Sequence, residues 1–316
     1  LKRFAPMLLL LFLPGSPAQG QADRAEPGGG VELVVLGTVQ DGGSPHIGCN
    51  RDCCAGLVLN HDPSRMVVAL GLVDGRSGKT FLFEATPDID RQLRALNREA
   101  GRTDAFTPDG VFLTHAHMGH YTGLMYLGRE ALNAREVPVH AMPRMRGFLA
   151  ENGPWSQLVE ARNIRLETLE NDISVYIGEA LSVTPVQVPH RDEYSETVGY
   201  LIRGPRKTAL FIPDIDKWER WGTPIEKYLA EVDLAFVDAT FYDAAEIGYR
   251  DVSLIPHPFV SESRQRWDGL AGALRNKVHF IHLNHTNPLL DPESEASRST
   301  EAAGYHIART GQKFRL

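Results

Sequence analysis

Short, strongly apolar runs broken by Gly, Pro and Asp recur along the chain, and their length and β-branched content predict strands. Val31 to Leu36, Met66 to Val73, Lys79 to Phe83 and Val111 to Thr114 come first. Val137 to Ala141, Ile164 to Leu169, Ser174 to Ile177, Val183 to Val188 and Val198 to Ile202 continue the series. Ala209 to Ile212, Leu234 to Val237 and Val278 to Leu283 complete it. Between these runs the apolar period lengthens to that of a helix. Thr86-Pro87 reads as N-cap and first-turn proline, with Ile89, Leu93 and Leu96 on the buried face of the helix they open. Gly123 to Asn133 carries Leu124, Leu127 and Ala131 on one side, and Ile225 to Ala230 and Trp267 to Leu274 are also patterned as helices. Two β-rich halves with interspersed helices and no linker between them predict one α/β domain. The expected architecture is an αββα sandwich, two mixed β-sheets with helices on their outer faces. No repeat at solenoid spacing interrupts it.

The first residues have a different pattern. Lys2 and Arg3 precede an unbroken apolar run from Met7 to Leu13, and Ser16-Pro17-Ala18 offers small residues for cleavage. Residues 1–18 are therefore expected to be a signal peptide, 19–30 a flexible link through Gly28-Gly29-Gly30, and 31–316 the folded domain. The apolar run falls short of the roughly 20 residues a spanning helix needs. After cleavage no stable membrane span is expected, and the protein would be exported, periplasmic or secreted.

Composition adds limits. The 316 residues are 42% hydrophobic and 23% charged, as in ordinary soluble proteins, and a net charge of −7 gives no reason to expect a nucleic-acid partner. A small-molecule substrate is the expected partner. The only cysteines, Cys49, Cys53 and Cys54, crowd into six residues, which is not a disulfide framework.

The sharpest chemical signal is Thr114-His115-Ala116-His117-Met118-Gly119-His120. Three of the chain's 12 histidines come directly after an apolar strand, where their rings can converge on one cation. His190, Asp214 and His285 likewise come after apolar strands. A polar donor after each strand is the arrangement a sandwich needs to collect metal ligands along one edge.

This ordered series, His-x-His-x-x-His, then a single His, an Asp and a final His, resembles the metallo-β-lactamase fold superfamily over nearly the whole folded region. Leu36-Gly37-Thr38, Asp41-Gly42-Gly43, His190-Arg191-Asp192, Val237-Asp238-Ala239-Thr240-Phe241 and His282-Leu283-Asn284-His285-Thr286-Asn287-Pro288 narrow the resemblance. They look most like the pyrroloquinoline quinone biosynthesis protein B branch, akin to tRNA-processing ribonuclease Z and to the cyclic phosphodiesterase of phosphonate breakdown. The resemblance implies that His115, His117 and His190 hold one zinc. It implies that His120, Asp214 and His285 hold a second, with Asp214 bridging and a metal-held hydroxide as nucleophile. His257, in Pro256-His257-Pro258, stands where related nucleases carry a histidine that assists the leaving group. Arg191 and Tyr194 are candidates to meet the substrate at the mouth. Relatives also hold a structural zinc in the first loop, for which His46, Cys49, Cys53 and Cys54 are the candidates here, free thiols being the alternative.

Two departures qualify the resemblance. Gly119 stands where the superfamily carries Asp, which leaves either one or two catalytic zinc ions. The motif is also richer in histidine than that of the quinone biosynthesis protein itself. The expected function is an exported zinc-dependent hydrolase of an ester-type bond, whether phosphodiester, lactone or other ester. The alternatives are an iron-dependent redox member of the fold, since imidazole suits both metals, and a non-catalytic metal-binding relative. β-Lactamase activity is not expected, because a bridging Asp belongs to the nuclease and phosphodiesterase side.

Overall fold

A computed structural model describes residue 1 and residues 29–248 and 251–316; the expected signal peptide and most of the link fall on 2–28, outside the described residues. The strands are β1 (Val31–Gly37), β2 (Ala69–Asp74), β3 (Lys79–Phe83), β4 (Gly110–Phe112), β5 (Val137–Ala141) and β6 (Ile164–Thr168) in the first half. The second half supplies β7 (Val175–Gly178), β8 (Leu181–Gln187), β9 (Val198–Arg203), β10 (Thr208–Ile212), β11 (Leu234–Asp238), β12 (Val278–Ile281) and β13 (His306–Ile307), and β14 (Lys313–Arg315) ends the series. They form two seven-stranded sheets, in the orders β14-β1-β2-β3-β4-β5-β6 and β13-β12-β11-β10-β9-β8-β7.

Each sheet is buried on both faces at its centre, so its inner strands read as continuous apolar runs. In β1, Leu33 and Val35 point between the sheets while Val34 and Leu36 point outward. In β10, Ala209 and Phe211 face inward and Leu210 and Ile212 outward. The layer between the sheets is built on Phe81, Phe83, Phe112, Tyr200, Phe211 and Phe236. Helix Ile89–Glu99 covers the first sheet through Ile89, Leu93 and Leu96. Helices Ile225–Glu231 and Val260–Trp267 cover the second. This is the expected four-layer sandwich.

Two helices differ from expectation. Gly123 to Asn133 yields only a short 3-10 helix, Thr122–Leu127, because Gly128 breaks the run and Asn133 takes a left-handed φ of 45°. The helix expected from Trp267 instead ends there, after Val260–Trp267, and a separate turn spans Gly272–Arg275. The apolar spacing runs straight across the break at Asp268-Gly269 and so conceals it. Among the described residues no helix is long and apolar enough to cross a membrane.

One core group makes the fold acid-sensitive. His279, on β12, is buried against Phe236 and His306, and burial first, then the neighbouring His306, pushes its pKa down to about 3. The unfolded chain binds this proton near pH 6.5 and the folded chain does not. Its contribution to stability is therefore intact above about pH 6.5 and is lost as pH falls towards about 3. The slope is about 1.4 kcal/mol per pH unit for one proton. His279→Phe is expected to lower the midpoint of acid unfolding followed by circular dichroism, and an unchanged midpoint would assign the sensitivity elsewhere.

Candidate metal centre

The strand directions explain where the chemistry gathers. β3, β4 and β5 run parallel, as do β10, β11 and β12, and β8 shares the direction of β10 through two antiparallel steps. Carboxyl ends of parallel strands lie at one edge, where open α/β sheets place their ligands. Glu84 comes directly after β3, and the histidine cluster after β4. His190 lies just beyond β8, Asp214 beyond β10, Asp238 ends β11 and His282 comes next after β12. Tyr200 pins this edge from within the core: its hydroxyl donates to the Leu113 carbonyl at 2.5 Å, two residues before His115.

Asp214 is the hub. Its Oδ2 lies 3.4 Å from His115 Nε2, 3.3 Å from His190 Nε2, 3.8 Å from His120 Nε2 and 4.0 Å from His117 Nδ1. Tetrahedral donors about 2.0–2.1 Å from a zinc ion are separated by about 3.3–3.4 Å from one another, so these spacings suit a shared cation better than shared protons. One donor atom each of His115, His117, His190 and Asp214 lies within 4.8 Å of all the others. The Nε2 atoms of His115, His120, His190 and His282 and Asp214 Oδ1 are buried without a hydrogen-bond partner. Leaving five such atoms unsatisfied at one spot would be costly. A divalent cation fits this donor set.

The outer nitrogens are already held. His120 Nδ1 meets Glu84 at 3.3 Å, His117 Nε2 meets Glu193 at 3.1 Å, and His190 Nδ1 meets Asp216 at 3.2 Å. His282 Nδ1 shares a hydrogen bond with Thr240 Oγ1 at 2.8 Å. Such partners fix the ring and leave the other nitrogen for a metal. Glu84 and His282 both adopt left-handed backbone, with φ of 80° and 64°, a strained conformation that concentrates at functional sites. Burial, and after it the charge of His120, holds the His115 imidazole well below its usual pKa, which keeps it neutral and ready to ligate.

A second cluster joins Asp214 to Asp238, His257 and His282. Here His257 Nδ1 hydrogen-bonds Asp238 Oδ2 at 2.9 Å, and it lies 3.1 Å from Asp214 Oδ1 as an ion-pair contact without hydrogen-bond alignment. Burial opposes a charge on His257, but Asp238 and Asp214 outweigh it and raise its pKa well above the usual range. Burial likewise opposes ionisation of Asp238, and His257 overrides it to bring that carboxyl down to about 2. His257 is therefore a cationic imidazole held by two carboxylates.

The final histidine and the loop site need correcting. Neither Asp214 cluster contains His285, which groups instead with Cys49, Cys53 and Cys54. The strand stops at Ile281 rather than Leu283, so His282 is the residue that turns into the site, wholly buried, while His285 faces the cysteine loop. His285 also displaces His46 from the expected cysteine set. His46 Nδ1 is occupied by the Gly48 amide at 3.1 Å, and its ring stacks on His285 with centroids 4.5 Å apart. The sulfurs of Cys49 and Cys53 are 3.7 Å apart, close to the roughly 3.8 Å between thiolates on one zinc ion. Burial and the neighbouring sulfurs push the Cys53 thiol up to about 12, a repulsion that a bound cation would relieve.

A cleft of about 910 Å³ lies between the cysteine loop and His257, beside the second cluster. Arg191 lines it as expected, and Arg51 faces it from the cysteine loop. Tyr194 is not among its lining residues: it packs on Phe148, with ring centroids 5.5 Å apart. Glu84 and Asp238 escape the sequence reading, although each is a charged residue at the end of an apolar strand, the same signal that marks Asp214.

Known proteins share this fold. A family model described as "Beta-lactamase superfamily domain" matches residues 79–282. "Coenzyme PQQ synthesis protein B" of Methylobacterium sp. (strain 4-46) is 26% identical over 308 residues, covering 90% of this chain and all of that protein. The crystal structure of Zn(2+)-bound PqqB from Methylobacterium extorquens superposes with a TM-score of 0.74 at 22% identity, over 90% of this chain and 100% of that one. A diphosphatase of the PhnP family gives 0.59 at 21% identity, over 90% and 97%. With the family model spanning more than half the chain, the protein belongs to the beta-lactamase superfamily and has a PqqB-like metallo-β-lactamase fold.

Proposed function

We propose that this chain is a zinc-dependent hydrolase of anionic esters, with phosphodiesters as the first class. The observation that carries the reading is the convergence of buried, unpartnered donor atoms around Asp214, which His257 links to a cleft faced by two arginines. His115, His117, His190 and Asp214 would hold one ion, and His120, Asp214 and His282 a second. Bound zinc would ease ionisation of a water and polarise the ester oxygen. The chain's own residues supply the rest. Arg51 and Arg191 would draw a negatively charged group to the cleft and orient it. Asp238 accepts the hydrogen bond of His257 Nδ1 and Asp214 adds its charge, so that His257, which lines the same cleft, would pass the proton on its other nitrogen, Nε2, to the departing oxygen. The PhnP-family diphosphatase, similar in fold, supports phosphorus over carbon esters as substrate.

The test is elemental analysis of the purified protein together with turnover of a phosphodiester, a lactone and a β-lactam chromogen. Zinc with phosphodiester turnover, both lost in His117→Ala, is expected. Iron in place of zinc would move the reading to redox chemistry, and absence of any tightly held metal would overturn it. Export belongs to the same proposal, and fractionation of cells expressing the full chain tests it.

A further inference from the structure

The superfamily pattern expects a carboxylate at the position of Gly119, and the structure contains one close by from another part of the chain. A Cβ built on Gly119 would lie 1.8 Å from the Cβ of Asp41, 2.6 Å from its Cα and 3.1 Å from its Cγ. The Asp41 side chain thus occupies the space in which a side chain at position 119 would begin. That crowding also accounts for the glycine, since any larger residue would collide with Asp41.

The loop carrying Asp41 is fastened to the other side of the same site. Val39 bridges to Leu283, the Leu283 amide donates to Thr38 O at 2.8 Å, and the Gln40 amide donates to Leu283 O at 2.9 Å. Asp41 therefore extends a segment paired with the neighbour of His282, and it overlies the neighbour of His120. The His120 and His282 rings are themselves 5.4 Å apart, each with a buried, unpartnered Nε2. Among the described residues the Asp41 carboxylate has no hydrogen-bond or ion-pair partner. Its carboxylate is close enough to His120 for its charge to act on that ring.

We propose that Asp41 supplies, from the first loop, the carboxylate that position 119 lacks, and that it completes a second metal position with His120, Asp214 and His282. The inference rests on the metal-centre reading above and adds to it the count of ions. Gly119 then marks a relocated ligand rather than a lost one.

Ion stoichiometry and affinity test it, by elemental analysis and calorimetric titration of zinc into metal-free, reduced protein. Cobalt substitution separates the thiolate site from the histidine centre by its sulfur charge-transfer absorption. Wild-type protein is expected to bind two ions at the histidine centre. Asp41→Asn, which keeps the shape of the side chain, is expected to weaken the second ion by about tenfold or more. The paired change Asp41→Gly with Gly119→Asp returns the carboxylate to the superfamily position and is expected to recover the second ion. The loop then has to give slightly, and Gly42 and Gly43 allow it. A single ion at the wild-type centre, or unchanged ion count and affinity in Asp41→Asn, would overturn the inference while leaving the hydrolase reading standing. A wild-type centre that binds no ion would overturn both.

Discussion

Asp214→Asn is expected to abolish ion binding at the histidine centre and to bring ester turnover down to the uncatalysed background. The amide keeps the volume of the side chain but removes the negative charge towards which His115, His117, His120 and His190 all point. Burial opposes ionisation of Asp214, yet His190, His257 and His282 outweigh it and hold its carboxyl well below the usual range. The anion is thus present at every working pH, and nothing else in the cluster can bridge two positions. The metal-free variant should unfold near the metal-free wild type, because buried imidazoles shed protons rather than stay charged and unpaired. The contrast appears on adding zinc. At roughly 100 times its dissociation constant an ion stabilises the fold by about 2.7 kcal/mol, which corresponds to roughly 5–10 °C in Tm. Differential scanning fluorimetry should show that shift in wild type and not in Asp214→Asn. A full shift in the variant would remove Asp214 from the ligand set.

His257→Ala should lower kcat by about 10²–10⁴-fold, the range general acid catalysis contributes, while the ion count stays that of the wild type. The raised pKa sets the sign of the pH dependence. His257 donates a proton, so activity persists while it is protonated and falls on the alkaline side, above that pKa. Asp238→Asn removes the larger of the two charges raising it, and should move the alkaline limb to lower pH without emptying the centre. Loss of an ion in His257→Ala would instead make His257 a ligand. An unchanged alkaline limb in both variants would deny it the proton-donor role. Activity on a substrate with a good leaving group should be less affected, since such a group departs without a proton.

The strands are legible in the sequence because both faces of each sheet are covered: Ala209 to Ile212 leaves no alternation to misread, and its length excludes a helix. His115, His117 and His120 are legible because three donors in one hexapeptide have few other uses. The failures have one physical origin: a sequence shows which residues come after a strand, but not the direction in which the chain then turns. His282 and His285 both come after β12, and only the left-handed turn at His282 distinguishes the ligand from its neighbour. Glu84 is anonymous in sequence until β3 is laid beside β4 and its carboxylate meets His120. Helix Pro143–Glu151 escapes detection because only Met145 and Leu149 of its residues are buried, too sparse a stripe to set a period. Asp41 is the extreme case, since its proximity to Gly119 joins residues far apart in the chain.

The candidate ligands are divided between the two sheets: the His115–His120 cluster hangs from the first, and His190, Asp214 and His282 from the second. Neither half of the chain therefore owns a complete set. The full donor set therefore exists only where the two sheets meet. An ion held there, as proposed above, would tie the halves together like a rivet. On the proposed reading, metal would bind the already folded molecule, as a late maturation step.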